Sequence, residues 1–172
     1  MTSLNISETE YNSYYKPYLD LLSGENLNNL IAQGEQTTQT FFQNIPSSKW
    51  DYQYAEGKWT PKDILMHIAD TERVFAYRAL YFSRFNDAEL KGFDENVFAE
   101  NALARNQSIT SLLKNYSAVR KATLSLFKSF DENMLRRIGR ANGSQMSVRA
   151  AGFIICGHEI HHINVIKERY LL

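Results

Sequence analysis

Four stretches of about 20 residues place apolar side chains at spacings of three and four, a pattern that a helix gathers onto one face and a strand scatters over two. In the first, Leu27, Leu30, Ile31, Gly34, Thr37, Thr38, Phe41 and Ile45 share a face that ends near Pro46. The middle of that face is small and polar, which a packed core does not require. In the second, Thr60, Pro61 and Asp63 supply an N-cap, a first-turn proline and a capping-box acid. Its inward stripe runs through Ile64, His67, Ile68, Thr71, Val74, Phe75, Arg78, Phe82 and Phe85. The third starts near Ser108 and carries Ile109, Leu112, Tyr116, Val119, Thr123, Leu126 and Phe130, the seam of a bundle. The fourth follows a candidate N-cap at Ser147 and runs to the end of the chain. Residues 86–106 are expected to form a long connection with a helical turn of its own, and residues 136–145 a loop; the prolines and glycines give few hairpin signals. The expected fold is all-α, a four-helix bundle in one domain spanning residues 1–172.

Charge narrows the partners. Lysine plus arginine and aspartate plus glutamate number 19 each, so no basic excess points to a nucleic acid or an anionic membrane surface. The longest apolar run, near residues 150–156, is far short of the roughly 20 residues that span a bilayer. The first eight residues have neither the basic start nor the apolar run of a secretory signal, and the one cysteine, Cys156, forms no internal disulfide; both features point to the cytoplasm.

The four histidines are not spread evenly: His67 lies on the second helix, and His158, His161 and His162 on the fourth. At about 100° per residue, His158 and His162 fall near the centre of the stripe drawn by Ala151, Ile155 and Val165, with His161 roughly 80° away at its edge. Imidazoles at i and i+4 present their nitrogens to one side, and a third from a facing helix closes a three-histidine metal site with a position left open. Two inward histidines without a metal would leave polar nitrogens to satisfy in the core. His67, His158 and His162 are therefore the candidate metal ligands.

His158, Glu159 and His162 also match the H-E-x-x-H pattern of zinc metalloproteases, in which the glutamate acts as general base. The third ligand of that architecture usually lies downstream, yet only ten residues follow His162, and they continue the same helix. Glu159 projects roughly 80° from the stripe centre, where a boundary or solvated carboxylate is expected.

Three blocks around these residues resemble the DinB/YfiT-like superfamily of metal-dependent enzymes. They are GKWTPKDILMHIADTERVFAYRALYFSR at residues 57–84, GFDEN at 92–96 and SVRAAGFIICGHEIHHINVIKERYL at 147–171, together about a third of the chain. The resemblance implies an up-down-down-up bundle, a divalent metal such as zinc or nickel on His67, His158 and His162, and often a homodimer. Relatives include bacillithiol-using S-transferases and a mycothiol-dependent isomerase, and many members have no assigned reaction.

The leading expectation is a metal-dependent S-transferase: a low-molecular-weight thiol bound to the metal attacks a small electrophilic molecule, with hydrolysis as the lesser option. Arg78, on the inward stripe three turns after His67, could hold the carboxylate of a thiol cofactor or substrate, or else reach out of the bundle end or pair with an acid. Asp63 and Asp70 could orient His67 from behind. Gly34, Thr37 and Thr38 could leave a cavity beside the metal, Cys156 is expected on the helix flank, and the aromatic run 11–18 with Trp50 and Trp59 is expected to pack the core and helix ends. The alternatives are a non-catalytic metal-binding stress-response bundle, a metal-free dimerisation module and, more weakly, a zinc metallopeptidase.

Overall fold

In the computed structural model, which describes residues 6–171, the elements follow the order α1 (Lys16–Leu19), α2 (Leu27–Gln43), α3 (Pro61–Arg84), β1 (Glu89–Leu90), α4 (Glu95–Ala102), α5 (Ile109–Lys128), α6 (Glu132–Arg136), β2 (Ile138–Ala141), β3 (Ser144–Ser147) and α7 (Val148–Arg169). Part of the N-terminal stretch read above for a secretory signal, residues 1–5, lies outside the described residues. Among the described residues no helix is long and apolar enough to cross a membrane.

The helix starts fall where the cap chemistry puts them. Thr60 Oγ1 accepts from Asp63 N, and Asp63 Oδ2 accepts from Thr60 N, closing the capping box ahead of Pro61. Ser108 and Ser147 cap α5 and α7 in the same way, each accepting from the backbone amide three residues on.

The four long helices form a ring in which α3 packs on α5 and α7, and α2 packs on α5 and α7. Consecutive helices α2 and α3 are thus diagonal. Side chains at the ends fix the directions. Tyr170 at the end of α7 donates to the Trp59 carbonyl just before α3, so these two run antiparallel. Arg105 pairs with Asp63 at 2.9 Å, which brings the starts of α3 and α5 together. Lys167 stands over the Phe41 ring at 5.7 Å, so α2 and α7 end on the same side. The bundle is up-down-down-up.

Residues 136–145 are not the expected loop. Strands β2 and β3 pair antiparallel across Asn142-Gly143, and β1 adds in parallel to β2. Asn142 and Gly143 have φ of 51° and 74°, the two left-handed residues that a tight type I′-like hairpin turn demands and that the Asn-Gly pair favours. The 86–106 connection likewise carries more structure than one turn, with β1, α4 and a 3-10 turn at Ala104–Asn106.

The interior is layered. One apolar cluster gathers Phe75, Phe82, Phe127 and Phe153; a second, toward the other end, gathers Phe42, Trp50, Leu65, Leu112 and Ile166. Buried charges bridge the helices within the bundle. Arg120 Nη2 donates to Glu72 at 2.8 Å and to Glu159 at 2.7 Å, and the Tyr116 hydroxyl donates to Glu159; all four side chains are almost wholly buried. Glu159 is therefore not the solvated carboxylate expected. A single inward stripe does not describe α7, which is buried on all sides from its start to Glu159. Gly34 has a packing role rather than a cavity-making one: a Cβ there would sit 2.6 Å from Glu159 Oε1 and collide with the Arg120 guanidinium, while Thr37 is exposed. Cys156 is buried, as expected of a packed residue, and burial pushes its thiol up to about 12.

Gly157 lets α1 lie on α7. A Cβ there would fall 2.6 Å from the Tyr18 carbonyl carbon, and the obstacle is backbone rather than a movable side-chain tip. Gly157→Ala is expected to lower stability by about 1–3 kcal/mol, the range for an overpacked interior. Urea denaturation checks this, and a variant as stable as the natural chain would show that α1 shifts freely.

Candidate metal centre and cavity

His67 enters from the second turn of α3, and His158 and His162 lie one turn apart on α7, antiparallel to it. The Nε2 atoms of His67 and His162 each lie 3.0 Å from His158 Nε2, and the three candidate ligand nitrogens fall within 4.8 Å of one another. All three expected ligands are thus brought together. Zinc-like ions take imidazole nitrogens at about 2.0–2.1 Å, so the two pairs that His158 makes have the spacing of neighbours around one ion.

The donor set fits a cation on chemical grounds. Burial, followed by the neighbouring histidines, holds the imidazoles of His158 and His162 well below their ordinary range. Burial lowers His67 to about 4, with His161 adding to it. All three are neutral at pH 7. A neutral ring nitrogen offers one hydrogen or one lone pair, so His158 Nε2 can make one good hydrogen bond but faces two nitrogens at 3.0 Å. An ion that accepts three lone pairs satisfies the set. A tautomer with Nε2 free carries its hydrogen on Nδ1; Thr71 Oγ1 stands 3.5 Å from Nδ1 of His67, while His162 Nδ1 is buried with no hydrogen-bond partner among the described residues.

Asp63 and Asp70 do not orient His67. Asp63 is occupied by Thr60 and Arg105, and Asp70 pairs with Arg73 at 2.7 Å. Nor is Glu159 placed as a general base beside the histidines, since Arg120 and Tyr116 hold its carboxylate. The fourth histidine, His161, is half-buried against the Tyr18 ring at 5.2 Å.

A cavity of about 520 Å³ opens over the imidazoles. The aromatic start of the chain, expected in core and end packing, instead supplies cavity wall through Tyr14, Tyr15 and Tyr18. Trp59 joins them, its ring 4.6 Å from His67, whereas Trp50 is buried in the core as expected. Tyr18 meets His158 edge-on at 5.5 Å. On the far side the GFDEN segment and the hairpin meet at the rim. Gly92 leaves room for the Asn142 side chain, whose Oδ1 would sit 2.7 Å from a Cβ there; Phe93 turns toward Arg78; Asp94 caps α4. Asn12 reaches across to donate to Ser144 at 2.8 Å, tying the chain start to β3. Arg78 does not reach out of the bundle end: it is buried, lines the same cavity, and pairs with no acid among the described residues.

The family model described as the DinB superfamily matches residues 30–166. Among solved structures, the chain is similar to YfiT from Bacillus subtilis, described as a probable metal-dependent hydrolase with an unusual four-helix bundle topology. The two share 16% identity over 83% of this chain and 82% of that one, at a TM-score of 0.75. It is also similar to YjoA, a DinB-like protein from Bacillus subtilis, at 17% identity over 84% of this chain and 88% of that one, with a TM-score of 0.59. No curated protein matches. The family match runs from within α2 into the last turn of α7 and takes in all three converging imidazoles, and the chain belongs to the DinB superfamily.

Proposed function

We propose that this protein is a metal-dependent enzyme that joins a low-molecular-weight thiol to a small electrophilic molecule in the cavity above His67, His158 and His162. The carrying observation is the convergence of three neutral imidazoles at a cavity large enough for such a substrate. His67, His158 and His162 would hold a divalent ion such as zinc or nickel, which would supply Lewis acidity and bring the pKa of a thiol or water toward neutrality. The chain's own residues shape what happens there. Trp59 and Tyr18 wall the imidazoles and limit water, while Tyr14 and Tyr15 line the cavity from the turn just before α1. Among the described residues Glu95, exposed, is the one acid lining the cavity, and none of them sets a carboxylate as a general base beside the histidines. That favours a thiol, whose ordinary pKa of about 8.5 already lies near neutrality, over water. Hydrolysis is the second reading, supported by the description of YfiT. The homodimer that the family resemblance implies, and a cytoplasmic location, belong to the same proposal.

The test is metal content by plasma mass spectrometry on protein purified without an affinity tag, for the natural chain and for His158→Ala combined with His162→Ala. About one metal per chain, absent from the double variant, is the expected result. Metal-loaded protein should then conjugate monochlorobimane to a small thiol faster than the double variant does. Natural protein that takes up neither zinc nor nickel sinks the metalloenzyme reading. Metal with p-nitrophenyl ester cleavage but no conjugation selects the hydrolase, and metal with neither activity selects the non-catalytic bundle.

A further inference from the structure

We propose that Arg78 is the anion-binding residue of the cavity, and that its ligand carries a carboxylate or similar oxyanion at the end remote from the histidines, on an apolar body lying against Tyr15, Phe75 and Phe93. This rests on the cavity being the substrate site and names the substrate class.

Arg78 is 3% exposed, yet among the described residues no carboxylate oxygen lies within 4.0 Å of its nitrogens. The two other buried arginines are different: Arg120 holds Glu72 and Glu159, and Arg149 holds Glu10. A guanidinium is always charged, and taking one out of water without a counter-ion is costly. Part of that cost is offset by the Phe75 and Phe93 rings, at 4.7 and 5.7 Å from the guanidinium carbon, and by the Tyr15 hydroxyl. None of these neutralises the charge. Arg78 is also, among the described residues, the one lysine or arginine lining the cavity, and its fork is built for two parallel hydrogen bonds to a carboxylate. Glu95, which also lines the cavity, is exposed to solvent.

Position sets the ligand's shape. Arg78 follows His67 by eleven positions on α3, about 16 Å along the helix axis, and its side chain leans back toward the helix start. A molecule that touches both the histidine centre and Arg78 is therefore elongated, with its acid at one end and its reacting group at the other.

The experiment compares 4-phenylbutyrate with its neutral primary amide by calorimetric titration. Natural protein, Arg78→Met and Arg78→Lys are each measured as purified and after chelator treatment. The acid is expected to bind natural protein about tenfold or more tighter than the amide. That preference should vanish in Arg78→Met, persist weakly in Arg78→Lys and survive the chelator. Equal binding of the two probes by natural protein, or no binding of the acid, overturns the proposal, whatever the variants do. A preference that survives Arg78→Met but disappears with the chelator places the carboxylate on a metal, which overturns the proposal while supporting the metal reading. A preference lost with Arg78 in protein that never held metal does the reverse. Should Arg78→Met fail to fold by circular dichroism, Arg78→Lys decides: a preference for the acid clearly weaker than in natural protein supports the proposal, and an undiminished one overturns it.

Discussion

Arg120→Leu is expected to destabilise the protein by about 3–5 kcal/mol, because it leaves Glu72 and Glu159 buried without a cation. That is a large share of the roughly 5–15 kcal/mol that separates a folded domain from its unfolded chain. Urea titration should show a lower midpoint with an unchanged slope. Adding Glu72→Gln and Glu159→Gln to the same chain should recover much of the loss, since the uncompensated charge is then gone. The size of that recovery separates charge from packing. A single variant within about 1 kcal/mol of the natural chain would mean that Glu159 is already neutral and that water takes the place of the guanidinium. Burial does push the Glu159 carboxyl upward, against the pull of Arg120 and the Tyr116 hydroxyl.

Metal-stripped protein is expected to lose stability steeply as the pH falls from about 6.5 toward 4. The folded state holds His67 near 4, whereas the unfolded chain protonates it at about 6.5. Above pH 6.5 both states are neutral there and no difference arises. Below it the unfolded state binds the extra proton, so stability falls until the folded pKa is reached, by about 3 kcal/mol from His67 alone. His158 and His162 shift in the same direction and add to the slope. Thermal unfolding of natural protein and His67→Gln at matched pH isolates the contribution. Carboxylates of ordinary pKa titrate too little between pH 6.5 and 5 to mimic it, and Glu159, whose carboxyl is pushed upward, acts with the opposite sign. Parallel curves for the two proteins would mean that the imidazoles are not held neutral, and the close approach of their nitrogens would need another origin.

The helices were legible because their caps and stripes agree. Thr60, Pro61 and Asp63, and Ser108 and Ser147, each mark a start that the structure keeps. The histidine cluster was legible because a spacing of four on one helix is a geometric statement. What could not be read were features that depend on neighbours. The hairpin was announced by Asn142-Gly143, but the strands on either side are four residues long and include Gly139 and Arg140, so no alternation stands out. Glu159 and Arg120 were hidden for a different reason: a stripe drawn on one face cannot show that α7 is enclosed, and a charge among core positions becomes readable only once its partner is known. Tyr15 and Tyr18 look like core aromatics in sequence, and become cavity wall because α1 lies against α7 beside Gly157.

Glu159 directly follows His158, and the two side chains leave α7 about 100° apart. One is held by Arg120 and Tyr116, the other faces the open chamber. The ion-pair cluster therefore works as a rotational lock on α7. At a side-chain radius of about 5–6 Å, a helix free to swivel by about 10° would carry an imidazole tip about 1 Å out of line. Pinned through Glu159, the helix keeps His158 and His162 turned toward the cavity, and the carboxylate of the H-E-x-x-H match is engaged by Arg120 and Tyr116 rather than free for proton transfer.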